Sequence, residues 1–239
     1  MNNNLDPHNN LLLLLLVFFI LSNYSIIPSQ CKKPTRYSCG AKKATYEFSN
    51  TIDNQLSTLV KLTYISGSTK TTSNYNNGNP LFALAQCRGD VPNHICSTCI
   101  SNAINVLSSP EYCKSQSDAQ IWYNYCYLRY SNISFFGDIR SLSEFIIANI
   151  NEVKADFSRD FNMKLTALMD EITLEAITSQ NWIGKGTRVL SNNDTLYALL
   201  QCNKDLEYDR CNQCLTIAKT KLDYNKDCYN REHINSTDD

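Results

Sequence analysis

The feature that most restricts this chain is a cysteine pattern that occurs twice. When "LFALAQCRGDVPNHICSTCI" (residues 81–100) is set above "LYALLQCNKDLEYDRCNQCL" (196–215), Cys87, Cys96 and Cys99 align with Cys202, Cys211 and Cys214 at one offset of 115, from 87 to 202. Leu81 and Leu196, Phe82 and Tyr197, Gln86 and Gln201, and Asp90 and Asp205 fall in the same register, and the offset also carries Cys113 onto Cys228. Self-similarity at a fixed period marks a duplicated structural unit. The same offset takes Cys126 to position 241, two past Asp239, so the second unit is expected to be truncated at its C-terminal end.

A C-x2-C pair is common to zinc ribbons, redox motifs and disulfide frameworks, so spacing alone leaves its role open. Compartment decides. Leu11 to Leu21 is an unbroken apolar run of eleven residues, about half of what a membrane-spanning helix needs, and it sits where a secretory h-region sits. Residues 1–30 are therefore expected to be a signal peptide, with an uncleaved anchor as the alternative. The best later apolar stretch, Phe145 to Ile150, is too short to span a bilayer, so no stable membrane span is expected. All eleven cysteines lie beyond the apolar run, and in an oxidising compartment such a density reads as a disulfide scaffold rather than a metal or catalytic set. A formal net charge of −1 lacks the basic footprint of a nucleic-acid binder. His94 and His233 are too scattered for a zinc site or a triad, and neither a G-x-S-x-G turn nor a phosphate loop occurs. No catalytic residue, metal site or cofactor is assigned, and the chain reads as a non-enzyme.

The periodicities supply the elements. Ile52, Leu56 and Leu59 recur at helical spacing with Ser49 or Asn50 as N-cap, and Phe161, Leu165, Leu168 and Ile172 do the same in the second unit. Turn-rich stretches follow each, at 66–80 and 181–195, which suit strands and hairpin loops. Leu81 to Cys87 reads as a strand. Cys96, Ile100, Ala103 and Leu107 define one face of a second helix with Cys99 at its edge, and "QIWYNYCYLRYS" (120–131) reads as a closing strand. Each unit is thus expected to be α+β, two helices covering one face of a small antiparallel sheet. The expected boundaries are 31–140 for the first module, 141–155 for a linker and 156–239 for the second.

The duplicated C-x8-C-x2-C, the aromatic-rich "CYLRYS" strand and the secretory leader resemble the plant cysteine-rich repeat secretory proteins, whose modules are similar to ginkbilobin, a mannose-binding antifungal protein. The resemblance implies about five strands per module and three disulfides in a complete one: Cys39 to Cys113, Cys87 to Cys96, and Cys99 to Cys126, with Cys202 to Cys211 repeated in module two. Spacing by itself leaves all fifteen pairings of six cysteines open. The pattern assigns no partner to Cys31, Cys214 or Cys228, although the last two can pair with each other; the odd total leaves at least one thiol free or intermolecular, which opens a homodimer.

In ginkbilobin the mannose site uses an Asn, an Arg and a Glu; the matching positions here hold Gly40, Gln120 and Ser131, so the sugar site is not carried over. Strand alternation anchored on an inward Cys126 puts Trp122, Leu128 and Tyr130 inside and Tyr123, Tyr125, Tyr127 and Arg129 outside, an aromatic stripe with a cation that suits a glycan or a protein. A competing reading packs that stripe against the other repeat. Arg88-Gly89-Asp90 lies within the cysteine loop and reads as a turn rather than an adhesion tripeptide. Asn132, Asn193 and Asn235 begin glycosylation sequons. The expected function is a secreted, extracellular (apoplastic) recognition or defence protein whose partner is a glycan or a protein. The alternatives are a thiol-disulfide or redox-sensing protein and a mannose-binding antifungal lectin.

Overall fold

The structure, a computed structural model, describes residues 31–75, 78–139, 155–190 and 194–221. The expected signal peptide, most of the expected linker, Cys228, Asn193 and Asn235 lie outside these residues.

Module one begins with β1 (Arg36–Cys39) and α1 (Tyr46–Ser66), continues through the hairpin β2 (Ser68–Tyr75) and β3 (Asn79–Cys87) to α2 (Asn93–Leu107), and closes with β4 (Asp118–Trp122) and β5 (Cys126–Ser131). The five strands form one antiparallel sheet in the order β1-β4-β5-β3-β2, so the last strand lies at the centre, between β4 and β3. Module two supplies α3 (Ala155–Thr178), the hairpin β6 (Ile183–Val189) and β7 (Thr195–Gln201), and α4 (Tyr208–Lys221). Both modules are α+β, with helices laid on one sheet face.

Helix α1 starts earlier than the spacing of its apolar residues suggests. Thr45, not Ser49 or Asn50, is the N-cap: its hydroxyl accepts from the Phe48 amide at 3.3 Å, which lets Phe48 enter the core in the first turn. The helix ends at Gly67, whose φ of +69° lets its amide reach the Thr63 carbonyl and turn the chain directly into β2. Phe48, Leu56 and Leu59 of α1, with Ile100, Ala103 and Leu107 of α2, pack on Leu81, Ala83, Ala85, Ile121 and Leu128 of the sheet. In module two, Leu168 and Ile172 of α3 press onto β6 and β7. Gly184 and Gly186 make that approach possible. A Cβ at Gly184 would run into the Ile172 carbonyl and lie 2.8 Å from the Ala176 amide nitrogen, and one at Gly186 would lie 2.8 Å from Leu168 Cδ1.

The closing segment differs from the expectation. Residues 120–131 are not one strand but two, β4 and β5, joined by a tight turn in which the Tyr123 amide donates to the Cys126 carbonyl at 2.8 Å. The turn shifts the alternation by one residue. In β4 Ala119 and Ile121 face the helices, while in β5 the helix-facing residues are Cys126, Leu128 and Tyr130.

Candidate functional site

Four disulfides among the described residues fix the frame. Cys39 to Cys113 ties β1 to the connection before β4 across 74 residues, Cys87 to Cys96 closes the mouth of α2, Cys99 to Cys126 pins α2 to β5, and Cys202 to Cys211 repeats the second of these in module two. On the chain-entropy estimate the longest of these loops removes about 4 kcal/mol of freedom from the unfolded state. The two cysteines of the 96–99 pair go to different partners. Cys31 is a free thiol among the described residues and is fully buried; desolvation pushes its pKa up, away from thiolate chemistry. Its carbonyl accepts from Asn102 Nδ2. Cys214 lies partly buried on α4.

The sheet face away from the helices carries three cross-strand rows: Trp122 beside Tyr127 beside Gln86, Gln120 beside Arg129 beside Leu84, and Asp118 beside Ser131 beside Phe82. Tyr127 donates to Gln120 Oε1 at 3.1 Å and lies against the Trp122 ring, centroids 5.2 Å apart. Arg129, only 7% exposed, points its guanidinium at Asp118, 3.8 Å away, and over the Phe135 ring at 4.2 Å. The segment after β5 folds back over this face: Phe136 meets Phe82 edge-on at 5.6 Å with the Lys70 ammonium 5.6 Å above its ring. Burial, foremost, and the Asp205 and Asp118 carboxylates push the Tyr127 phenol above its ordinary range, against the pull of Arg129.

Asp205 belongs to module two, and its neighbours form a seam with a two-fold logic. Gln86 Nε2 donates to the Cys202 carbonyl at 2.8 Å, and Gln86 Oε1 accepts from the Lys204 amide at 2.7 Å. Gln201 Nε2 donates to the Cys87 carbonyl at 2.9 Å, and Gln201 Oε1 accepts from the Gly89 amide at 2.9 Å. Each glutamine therefore grips the residue one past and the residue three past its own counterpart. Asp205 adds a bond from the Gly137 amide to its Oδ2, 2.9 Å.

The proposed stripe is divided by this arrangement. Tyr123 is not on the outer surface: it is 6% exposed in the helix-side core, where its hydroxyl accepts from Asn102 Nδ2 at 3.3 Å, because β4 has the opposite phase to β5. Trp122, expected inside, lies on the outer face for the same reason. Tyr127 and Arg129 do face outward, but Arg129 is buried beneath Phe135 and is no surface cation. Tyr125 sits in the turn under the Arg88 guanidinium, 4.8 Å from its ring, and Arg88 in turn pairs with Asp90 at 2.6 Å. The Arg-Gly-Asp tripeptide is thus a turn locked at the seam. Gln120 and Ser131 are buried, and a Cβ at Gly40 would sit 2.9 Å from that of Asp118, so no room exists there for a larger side chain. Asn132 is half-buried, with its backbone amide bonded to Ser117. The two glutamines and the Phe135–Phe136 cover carry no role in the sequence reading. A matched polar residue in each of two apolar strands was the available signal for the glutamines.

A family profile described as salt stress response/antifungal matches residues 30–133 and 149–238. Cysteine-rich repeat secretory protein 55 of Arabidopsis thaliana is 40% identical over 177 residues, covering 73% of this chain and 66% of the relative's length. An antimicrobial ginkbilobin-2-like protein of Castanea crenata is 32% identical over 212 residues, 86% of this chain and 85% of that protein. The tandem DUF26 ectodomain of the Arabidopsis thaliana cysteine-rich receptor-like protein PDLP5 superposes with a TM-score of 0.62 at 22% identity over 80% of this chain and 88% of that one. No helix among the described residues is long and apolar enough to cross a membrane.

Proposed function

Because this chain belongs to the salt stress response/antifungal family of cysteine-rich secreted plant proteins, we propose that it acts outside the cell as a non-enzymatic recognition or defence protein binding an extracellular glycan or protein. The observation that carries this reading is the seam. The disulfides brace each module from within, and the side-chain amides of Gln86, which is buried, and Gln201, which is partly buried, join the two modules to each other. Groups committed to such bonds position surfaces; they are not poised to transfer protons or electrons.

Two competing readings find less support. Mannose binding by the ginkbilobin route needs an Arg and a Glu where this chain has the buried Gln120 and Ser131, and an Asn where it has the crowded Gly40. Dithiol exchange needs an accessible thiolate, whereas Cys96 and Cys99 are bridged elsewhere and Cys31 is buried. The test uses the purified, disulfide-intact protein. It is probed on a glycan array including fungal wall polysaccharides, against extracellular plant proteins, and for reduction of insulin disulfides. Saturable binding to one class that is lost when the disulfides are reduced, with no insulin turnover, is the expected result. Turnover above that of free cysteine, or an absence of any binding, would overturn the proposal.

A further inference from the structure

The offset of 115 repeats a patch of surface as well as the cysteines. The outer face of β2 and β3 carries Lys70, Thr72, Phe82 and Leu84; the matching positions hold Lys185, Thr187, Tyr197 and Leu199. The cross-strand pairs also repeat: Lys70 opposite Leu84 and Thr72 opposite Phe82, then Lys185 opposite Leu199 and Thr187 opposite Tyr197. Two copies of one chemistry stand in one geometry, yet their surroundings differ. In module one the patch is capped by Phe136, edge-on to Phe82 and beneath the Lys70 ammonium, and Leu84 is 2% exposed. In module two Tyr197 is 75% exposed, Leu199 37% and Val189 59%. Tyr197 and Leu199 line a shallow depression of about 470 Å³ with Lys185 and Thr187.

We propose that this face of β6 and β7 is a docking surface for a partner protein that presents an exposed aromatic residue followed closely by an acidic one. The inference rests on the reading of the chain as a recognition protein and names the surface and partner class. Module one supplies the template: its cap is Phe135-Phe136-Gly137-Asp138. An aromatic ring seated between Tyr197 and Leu199 gains edge-to-face packing, and the Lys185 ammonium gives the cation contact that Lys70 gives Phe136. An acidic group next to the ring complements Lys185, which stands at the exposed rim. A second copy of this chain is a poor occupant, because its own Phe135 is held under Arg129 and its Phe136 against Phe82, so docking would uncover its own sheet.

The test uses the full chain with its disulfides intact and, as probe, a carrier protein displaying Ser-Phe-Phe-Gly-Asp, with Ser-Ala-Ala-Gly-Asp as control. Tyr197→Ser and Leu199→Ser change exposed side chains, and Tyr197→Phe restores the aromatic. Expected is saturable binding of the Phe-Phe carrier alone, weakened about tenfold or more by Tyr197→Ser, as for the central anchor of an interface, and rescued by Tyr197→Phe. Failure of the wild type to bind the carrier, equal binding by Tyr197→Ser, or a Tyr197 dependence seen only with glycans would overturn the proposal. Wild-type binding to extracellular plant material that is undiminished in Tyr197→Ser would sink this surface and leave the recognition reading standing; no binding by either protein would sink both.

Discussion

Replacing Gln86 by Ala tests the seam most sharply. The side chain is 5% exposed and both of its polar atoms bond to module two, at 2.8 Å to the Cys202 carbonyl and 2.7 Å from the Lys204 amide. Truncation leaves those two main-chain groups without their partner. Each buried group so stranded costs about 1–3 kcal/mol; with Cys202 buried and the Lys204 segment only partly covered, the expected loss is about 2–3 kcal/mol. Gln201→Ala strips the symmetric pair, but Gly89 is exposed and its amide can turn to water, so about 1–2 kcal/mol is expected there. The chain's two tryptophans make the assay direct, since Trp122 lies in module one and Trp182 in module two. Urea unfolding of Gln86→Ala, with Trp122→Phe or Trp182→Phe to isolate one reporter, should lower the Trp182 midpoint more than the Trp122 midpoint and separate two transitions. The double variant should lose less than the sum of the single ones, because either substitution already loosens the same seam. Coincident transitions with a loss below about 0.5 kcal/mol, the range of an ordinary surface substitution, would refute the reasoning.

Further expectations concern the frame. Gly184→Ala drives a methyl into the α3 backbone at Ile172 and Ala176, and a loss of about 1–3 kcal/mol confined to the Trp182 reporter is expected in the same assay. Burial, with the Tyr112 and Cys31 charges behind it, raises the Tyr123 phenol to about 12. The unfolded chain loses that proton first as pH rises, so this part of the stability is intact below about pH 10 and is lost toward pH 12. Tyr123→Phe should flatten the alkaline limb of a stability profile, and an unchanged limb would refute the assignment. Iodoacetamide at pH 8, followed by peptide mass spectrometry, should label Cys31 far more slowly in the native protein than in urea; equal rates would contradict its burial.

The helices were legible because their apolar residues fall at 3.6-residue spacing and nothing else competes for the same positions. Leu56, Leu59, Ile100, Leu107, Leu168 and Ile172 all occupy the core. The β4–β5 hairpin was hidden for a physical reason. Its turn, Tyr123-Asn124-Tyr125, has no glycine or proline, and aromatic residues on both sides continue the strand-like composition straight through it. One residue of lost phase exchanges the faces of Trp122 and Tyr123, so a stripe inferred from uninterrupted alternation fails on the N-terminal side of the turn and holds for Tyr127. The α1 cap lies four to five residues ahead of Ser49 and Asn50, which are good capping types but sit at and just past the end of the first turn. Gln86 and Gln201 were visible as matched polar residues in apolar strands, but their destinations lie more than 110 residues away along the chain, where local pattern carries no information.

The account stands on four covalent links, and peptide-level mapping of the secreted protein, digested without reduction and with free thiols blocked, tests them directly. The result predicted is linked peptides joining Cys39 to Cys113, Cys87 to Cys96, Cys99 to Cys126 and Cys202 to Cys211. A Cys96 to Cys99 bridge, or reduced thiols at these positions in active protein, would contradict it.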